Sequence, residues 1–404
     1  MTPIPATLLV RGIGSLATSA GMVDDACVVA DGSGIVHAGP ASGLPALAPR
    51  QGFRELDVGG AAVVPGFVDS HTHAVWMGSR AAEFEERAAG ASYEEIAERG
   101  GGIRATVRAT AAASIPELMA AARPRLRAML LGGTTTVEIK SGYGLDLHAE
   151  MRMLEAARRL GEEPDLPDVV TTYLPLHATP GGDRREYLRE VLVEGLPRAV
   201  EARARFVDAF CEVGAFTPAE CGAVLRRGAE LGLVAKLHAE QRTRSGGAAL
   251  MAELRGASAD HLEHAADADL RGLAAAGVAA VLLPGAALVL GGPRPPGRRA
   301  LDAGATVALA TDCNPGTCWA ESMPLMVALG VLTAGLSPAE ALAAATAGGA
   351  AALRLHDRGR IAPGYRCDLV ILETSDWRDL AYHLGGGVVR SVVRAGAIVD
   401  VAGG

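Results

Sequence analysis

Pro65-Gly66-Phe67-Val68-Asp69-Ser70-His71-Thr72-His73 is the stretch of this 404-residue chain that decides its fold. An apolar run from Ala61 to Val64 precedes it, and a second short apolar run leads directly into the two histidines. Alternate side chains of a strand point to the same side, so we expect His71 and His73 to project together and to hold one metal ion. By itself, a His-x-His pair is equally compatible with two packed or solvated histidines.

The rest of the chain favours the metal site. His238, His261 and Asp312 each come directly after a later strand-like apolar run. These runs are residues 233–237, 256–260 and 307–311. Polar residues with metal-binding side chains at the ends of successive strands are typical of the active site of a parallel barrel.

The order of predicted elements indicates an α/β protein with two domains. From residue 61 to 355, strand-like runs alternate with helical segments, which predicts parallel strands joined by crossover helices. Seven or eight such units fit a closed (β/α)8 TIM-type barrel. Short strands separated by glycine-rich turns occupy residues 1–60 and return in residues 356–404. We expect these two end segments to pair into one small β-sandwich-like domain beside the barrel.

Composition and charge narrow the class of protein. With 49% hydrophobic and 21% charged residues, the chain is typical of a soluble globular protein. The net charge of -8 argues against a nucleic-acid partner, and no unbroken apolar window predicts a membrane span. The N-terminus lacks the pattern of a signal peptide, and the six cysteines form no Cys-x-x-Cys pair, so we expect a reduced, cytoplasmic protein. The only two lysines are Lys140 and Lys236.

The ligand set suits one Zn2+ or one iron ion, as Fe2+ or Fe3+, per chain. We assign His71, His73, His238 and Asp312 as the metal ligands. A cation held in this way lowers the pKa of a bound water towards ~7 and makes hydroxide available at neutral pH. We expect the catalytic proton transfers to involve His261, near the water, and Asp312.

Several motifs beyond the two histidines resemble those of the amidohydrolase superfamily, and specifically those of the imidazolonepropionase family. The match runs nearly end to end along the chain. Its most specific stretches are Gly78-Ser79-Arg80 with Glu83-Phe84, residues 138–144, Phe210-Cys211-Glu212, residues 258–264 and residues 310–317. Residues 359–364 and 368–370 are similar to the superfamily's return into its small β domain.

The resemblance implies hydrolysis of the cyclic amide of 4-imidazolone-5-propanoate to N-formimidoyl-L-glutamate, a step of histidine degradation. The partner is then a small-molecule substrate, with no nucleic acid and no membrane. Arg80 offers a planar fork for the substrate's propionate. Matching positions imply further substrate-binding residues, namely Tyr93, Tyr143, His177, Gln241, Asn314, Gly316 and Thr317. Such barrels commonly form homodimers, although no segment of the sequence indicates an interface.

The chain departs from the superfamily pattern at Gln241. Many amidohydrolases have a glutamate three residues after a histidine such as His238, and this glutamate shuttles protons. A neutral glutamine cannot act as the base, so we assign proton transfer to His261 and Asp312 and substrate contact to Gln241. Relatives with two metals often carry a carbamylated lysine on the fourth barrel strand. Residues 169–177, interpreted as that strand, contain no lysine, which favours one metal.

Two other functions stay open at this stage. Another one-metal amidohydrolase, such as an aminohydrolase acting on a purine or pyrimidine ring, would have the same metal ligands. Arg80, Tyr143 and residues 314–317 favour the acidic imidazolone over such a ring. A binding or assembly protein that has lost its activity should lack ligands, whereas all four are present.

Overall fold

The computed structural model describes residues 3–90, 95, 99–179 and 181–399. These residues form two β-sheets and a set of helices. The strands, in chain order, are β1 (Ile4–Thr18), β2 (Gly21–Asp31), β3 (Gly34–Pro40), β4 (Leu47–Asp57), β5 (Ala62–Pro65), β6 (Phe67–Asp69), β7 (Thr134–Lys140), β8 (Asp168–Leu176), β9 (Phe206–Cys211), β10 (Val234–Ala239), β11 (Ser258–His261), β12 (Ala279–Leu282), β13 (Val307–Leu309), β14 (Leu369–Leu372), β15 (Val389–Arg394) and β16 (Ala397–Val399).

Most helices lie in the segments that connect strands β6 to β14. They are α1 (Ala81–Ala88), α2 (Ile103–Ala112), α3 (Ile115–Leu131), α4 (Leu147–Leu160), α5 (Arg184–Glu190), α6 (Leu196–Glu201), α7 (Pro218–Glu230), α8 (Gly247–Leu254), α9 (Asp267–Ala276), α10 (Pro284–Leu290), α11 (Gly297–Asp302), α12 (Met323–Ala334), α13 (Pro338–Ala343), α14 (Gly349–Ala352) and α15 (Asp379–Tyr382). Within the described ranges, none of these helices is long and apolar enough to cross a membrane.

The first sheet is mixed and is built from both ends of the chain. Its strand order is β16-β15-β14-β5-β1-β2-β3, and β4 also pairs with β1. The alternation of side chains gives this sheet two apolar faces. Along β14, Leu369 and Ile371 pack inside the small domain, whereas Val370 and Leu372 belong to the main core of the barrel. The mixed sheet therefore rests on the barrel through alternate residues of its central strands.

The second sheet is the barrel. Strands β6 to β13 follow one another in sequence order, and every pair between them is parallel. The barrel closes where the chain after β13 meets the chain after β6. There the amide of Asp312 donates to the carbonyl of His71 at 3.0 Å, and the amide of His73 donates to the carbonyl of Cys313 at 3.0 Å. The predicted (β/α)8 barrel with a small β domain from both chain ends is confirmed.

The structure differs from the sequence-based expectation in the sheet to which one strand belongs and in the position of another strand within the barrel. The run before Pro65 forms β5 in the mixed sheet, so it adds no strand to the barrel. The interpretation of residues 169–177 as the fourth barrel strand is therefore wrong, because β8 is the third strand and β9 is the fourth. The argument for one metal is unaffected, since β9 also contains no lysine. We propose that the boundary between the two domains falls at Gly66.

Two glycines allow a helical segment to pack closely against β6 and β13, at the seam where the barrel closes. A helical turn ending at Gly348 leads into α14, and both pack across β6 and β13. A Cβ on Gly348 would lie 2.1 Å from the carbonyl oxygen of Val307, and a Cβ on Gly349 would lie 2.1 Å from that of Val68. Only glycine fits at these two positions without moving the strands.

Candidate metal and active site

The carboxyl ends of four barrel strands bring five metal-type side chains together. His71 and His73 follow β6, His238 lies on β10, His261 ends β11, and Asp312 follows β13. Each of the five residues is at most 3% exposed. The group is therefore enclosed, and charges inside it are poorly screened by water.

The ring nitrogens and the carboxylate lie at distances that one cation can bridge. Nε2 of His71 and Nε2 of His73 are each 3.6 Å from Oδ1 of Asp312. Nε2 of His238 is 3.4 Å from Nε2 of His73. Ligands about 2.0–2.1 Å from a tetrahedral zinc ion are about 3.4 Å apart, so this spacing fits a metal centre. Groups with donor atoms within 4.8 Å of one another are His71, His238 and His261; His73, His177 and His238; and His71, His73 and Asp312.

The protonation chemistry of the histidines also fits a cation. Burial lowers the pKa of His71, His73 and His261 well below the usual value, so these rings are neutral. Nε2 of His71 is buried and has no hydrogen-bond partner among the described residues. A neutral imidazole has one free lone pair, which is the form that binds a metal. The donor set therefore fits a metal cofactor.

Strained backbone marks the same strand ends. Glu240, His261, Leu262 and Asp312 have φ values of 55°, 80°, 72° and 51°. Residues other than glycine rarely adopt this left-handed backbone conformation, and such strain is concentrated at functional sites. The strain lies in the turns that follow β10, β11 and β13, where the candidate ligands leave their strands.

Five charged side chains, which we call the buried charge cluster, lie on the barrel strands next to the histidines. The cluster consists of Glu138, Lys140, Asp208, Lys236 and Asp260, each 0% exposed. It contains both lysines of the chain. Burial opposes the charged form of Lys140, but the carboxylates of Asp208, Glu138 and Asp260 outweigh this effect and raise its pKa. We did not predict this cluster from the sequence, although the two lone lysines on strand-like runs were a signal of it.

Two loops place Tyr143 and His177 beside the histidines. The carboxylate of Glu150 accepts hydrogen bonds from the amides of Gly142 at 2.8 Å and Gly144 at 2.7 Å, which fixes the loop carrying Tyr143. Nδ1 of His177 lies 2.9 Å from the carbonyl oxygen of Gly142. The His177 ring stacks on His73, with centroids 4.8 Å apart. The structure thus brings Tyr143 and His177 to the site, where His177 is also within reach of a metal held by His73 and His238.

The loop after β13 is organised by Asn314. Its Nδ2 donates to the carbonyl of Asp312 at 2.7 Å and to Oγ1 of Thr317 at 2.8 Å, and its Oδ1 accepts from the amides of Gly316 and Thr317, both at 2.8 Å. These bonds use both donors and both acceptor positions of the amide. This geometry favours a role for Asn314 in shaping the loop, while its predicted contact with substrate stays a prediction. Oγ1 of Thr317 lies 3.5 Å from Oδ2 of Asp312.

Arg80 lies against the same loop. Its Nε donates to Glu83 at 2.7 Å, and the other oxygen of Glu83 accepts from the amide of Gly102 at 3.0 Å. A Cβ on Gly316 would come within 2.3 Å of Nη1 of Arg80, so a side chain there would displace the guanidinium. Arg80 and residues 315–319 line a cavity of about 300 Å³, together with Arg87. A cavity of this size is at the lower limit for a small-molecule site.

Two predicted substrate contacts have less support from the geometry. Tyr93 lies outside the described residues. Gln241 is half-buried in the turn after β10. Its neighbour Glu240 accepts hydrogen bonds from the amides of Gly246 at 3.1 Å and Ala248 at 3.0 Å, so that carboxylate caps α8. The contact of Gln241 with substrate stays a prediction.

Comparison with known proteins first defines the class. Residues 62–399 match the model of the amidohydrolase family. Because this match covers most of the chain, the chain belongs to the amidohydrolase family. Solved structures share the fold: an adenosine deaminase from Xanthomonas campestris with bound zinc has a TM-score of 0.75 at 20% identity, covering 98% of this chain and 93% of that one. Ochratoxinase from A. niger has a TM-score of 0.72 at 16% identity, covering 98% and 96%.

Comparison with individual relatives identifies a narrower group within the amidohydrolases. Imidazolonepropionase of Deinococcus deserti is 50% identical over 85% of this chain and 85% of its own length. The imidazolonepropionase of Deinococcus radiodurans is 45% identical over 93% and 92% of the two chains, and that of Myxococcus xanthus is 48% identical over 90% and 87%. Within the amidohydrolases, the chain is therefore a member of the family that these imidazolonepropionases form.

Proposed function

We propose that this protein hydrolyses the cyclic amide of 4-imidazolone-5-propanoate to N-formimidoyl-L-glutamate in histidine degradation. The observation that carries the proposal is that His71, His73, His238 and Asp312 belong to three overlapping groups of metal-type side chains, within each of which the donor atoms lie within 4.8 Å of one another. The chain is also 50% identical to an imidazolonepropionase over 85% of its length. Opening a cyclic amide requires attack of water on the ring carbonyl and protonation of the leaving nitrogen. The enclosed site provides groups for both tasks.

One Zn2+ or iron ion per chain would be held by His71, His73, His238 and Asp312, and it would supply a Lewis acid and an activated water. Asp312 is assigned to accept a proton at its carboxylate. His261 has a neutral ring whose Nδ1 lies 3.9 Å from Oε2 of Glu263, and we assign it to the polarisation of the carbonyl or to proton transfer. Exclusion of water strengthens each of these interactions.

The substrate's propionate is assigned to Arg80. Glu83 holds the Nε edge of the guanidinium, which orients the terminal nitrogens of the fork. Tyr143 and His177 lie on the side of the site next to His73 and are assigned to the imidazolone ring. Gly316 leaves space for Arg80. Tyr93, Gln241, Asn314 and Thr317 complete the proposed substrate contacts.

The test is to mix the purified protein with imidazolonepropionate, generated in place from urocanate, and to identify the product. The proposal predicts faster loss of the imidazolone absorbance with formation of N-formimidoyl-glutamate. Release of ammonia from a purine or pyrimidine, without turnover of the imidazolone, would instead favour an aminohydrolase. The half-buried Arg80, which we assign to the propionate, is the feature that favours the first outcome, since purine and pyrimidine rings carry no propionate.

Two further proposals accompany this function. The protein is assigned to the cytoplasm, in keeping with six free, buried cysteines. We also propose that the protein forms a homodimer, and light scattering would test this by measuring the mass of the particle in solution.

A further inference from the structure

The buried charge cluster contacts two of the candidate metal ligands through carboxylates. Oδ2 of Asp260 lies 2.6 Å from Nδ1 of His71. Oδ2 of Asp208 lies 3.1 Å from Nδ1 of His238, a close ion-pair distance without the alignment of a hydrogen bond. In both histidines the opposite ring nitrogen, Nε2, faces the other candidate ligands, 3.6 Å from Asp312 for His71 and 3.4 Å from His73 for His238.

We propose that Asp208 and Asp260 are positioning residues of the metal site, and that Lys140 and Lys236 hold the two carboxylates in place. The inference rests on the metal site of the proposed function. A neutral imidazole carries its single proton on one nitrogen only. A carboxylate at Nδ1 places the proton there, fixes the plane of the ring and leaves the Nε2 lone pair free for a metal.

The two lysines offset the free-energy cost of burying these carboxylates. Removing a carboxylate from water is costly unless the charge is paired. Nζ of Lys140 lies 2.8 Å from Asp208 and 3.6 Å from Asp260, so it bridges the supports of both histidines. Nζ of Lys236 lies 3.8 Å from Asp260 and donates to the carbonyl of Ser70 at 2.7 Å, which fixes the backbone just before His71.

Glu138 supplies an internal control. Its carboxylate is as buried as the other two and pairs with Lys140 at 2.9 Å and Lys236 at 3.0 Å. Its remaining side-chain partner is the hydroxyl of Thr172, not an imidazole. Glu138→Gln therefore removes the same charge from the same cluster without removing a histidine support.

The experiment measures metal affinity directly, by competition between the protein and a chelator for Zn2+. We expect Asp260→Asn and Asp208→Asn each to weaken Zn2+ binding about 10- to 100-fold, the usual effect of losing a group that orients a ligand. Glu138→Gln should bind Zn2+ nearly as tightly as the unchanged protein. Equal weakening in all three variants would overturn the proposal, because charge alone would explain it. Unchanged affinity in Asp260→Asn and Asp208→Asn would also overturn it.

A second pair of variants covers the case in which the single changes prevent folding. Each of these double variants removes one negative and one positive charge. The first combines Asp260→Asn with Lys236→Met, and the second combines Glu138→Gln with Lys236→Met. Both lack Lys236, but only the first also lacks the carboxylate at Nδ1 of His71, so it should bind Zn2+ more weakly than the second. Equal affinities would overturn the proposal. Because no turnover is measured, failure of the proposed function would appear separately, as normal Zn2+ binding without hydrolysis of imidazolonepropionate.

Discussion

Asp312 belongs both to the seam where the first and last barrel strands meet and to the candidate metal site. Its amide pairs with the carbonyl of His71, and its carboxylate lies 3.6 Å from the Nε2 atoms of His71 and His73. The backbone at this residue is left-handed, with φ of 51°. A single residue thus contributes its backbone amide to the closure of the barrel and its carboxylate to the candidate ligand set.

We predict that Asp312→Ala abolishes metal-dependent hydrolysis. Loss of the only carboxylate in the proposed ligand set removes charge compensation for a cation as well as a proton acceptor. Metal content and turnover of the purified variant check this prediction, and thermal melting checks that the variant is folded. A folded variant with near-normal turnover would exclude Asp312 as a ligand.

For Arg80→Ala we predict a larger rise in KM than fall in kcat. A charged hydrogen bond contributes about 1.5–3 kcal/mol, so KM should rise about 10- to 150-fold. Arg80→Lys should recover only part of the loss, since an ammonium lacks the planar fork. Steady-state kinetics with imidazolonepropionate measures both constants. An unchanged KM in Arg80→Ala would remove this residue from carboxylate binding.

At the residue scale the sequence predicts which side chains meet, but not how each is supported. Each predicted ligand follows an apolar run, so the rule that strand ends meet is enough to group them. The partners of Asp208 and Asp260 depend on neighbouring strands and on which way each side chain faces inside the barrel. The saturation of the Asn314 amide depends on the turn of its own loop, which residue types alone do not specify.

At the scale of elements, the closing seam depends on two glycines. We predict that Gly349→Ala lowers the free energy of unfolding by about 1–3 kcal/mol, because its Cβ would overlap the backbone of Val68 and force α14 away from β6. Gly272→Ala in α9 is the matched control. Its Cβ would meet Ala252 at 3.7 Å, an ordinary contact, so the change should be neutral or stabilising by about 0.5–1 kcal/mol.

Denaturant unfolding of both glycine variants provides the comparison. If Gly349→Ala were as stable as Gly272→Ala, the close approach at the seam would not limit the fold.

Strand identity was easier to predict than strand partnership. The apolar run before Pro65 is a strand, as its sequence indicates, but it pairs with β1 and β14 rather than with the barrel. Its partner β14 lies about 300 residues further along the chain, and no local pattern encodes such a pairing. Counting this run with the barrel makes residues 169–177 the fourth barrel strand, whereas β8 is the third.

At the scale of the whole molecule, Asp168 ties the C-terminal segment to the barrel. Asp168 begins β8, and its carboxylate pairs with Arg358 at 2.9 Å, with Arg394 at 2.6 Å and with Arg366. The three arginine side chains are only 12–16% exposed. Loss of Asp168 removes a carboxylate that all three share, while Arg358 keeps Asp357 and Arg366 keeps Asp368 as partners.

We predict that Asp168→Asn lowers the free energy of unfolding by about 2 kcal/mol, between the values for exposed and fully buried ion pairs. Asp376→Asn is the control, because Asp376 pairs with an Arg378 side chain that is 66% exposed. That change should have an effect of less than about 0.5 kcal/mol. Equal stability of the two variants in denaturant unfolding would show that Asp168 does not connect the two parts of the molecule.

We infer that one metal ion held by the histidines and Asp312 enables hydrolysis of imidazolonepropionate. The most direct test strips the protein with a chelator, confirms the loss of metal, and titrates Zn2+ or Fe2+ back while the imidazolone absorbance is followed. We predict that hydrolysis is lost on stripping and returns in proportion to added metal, reaching a plateau at about one ion per chain. Hydrolysis by the metal-free protein at the rate of the loaded protein would contradict the claim.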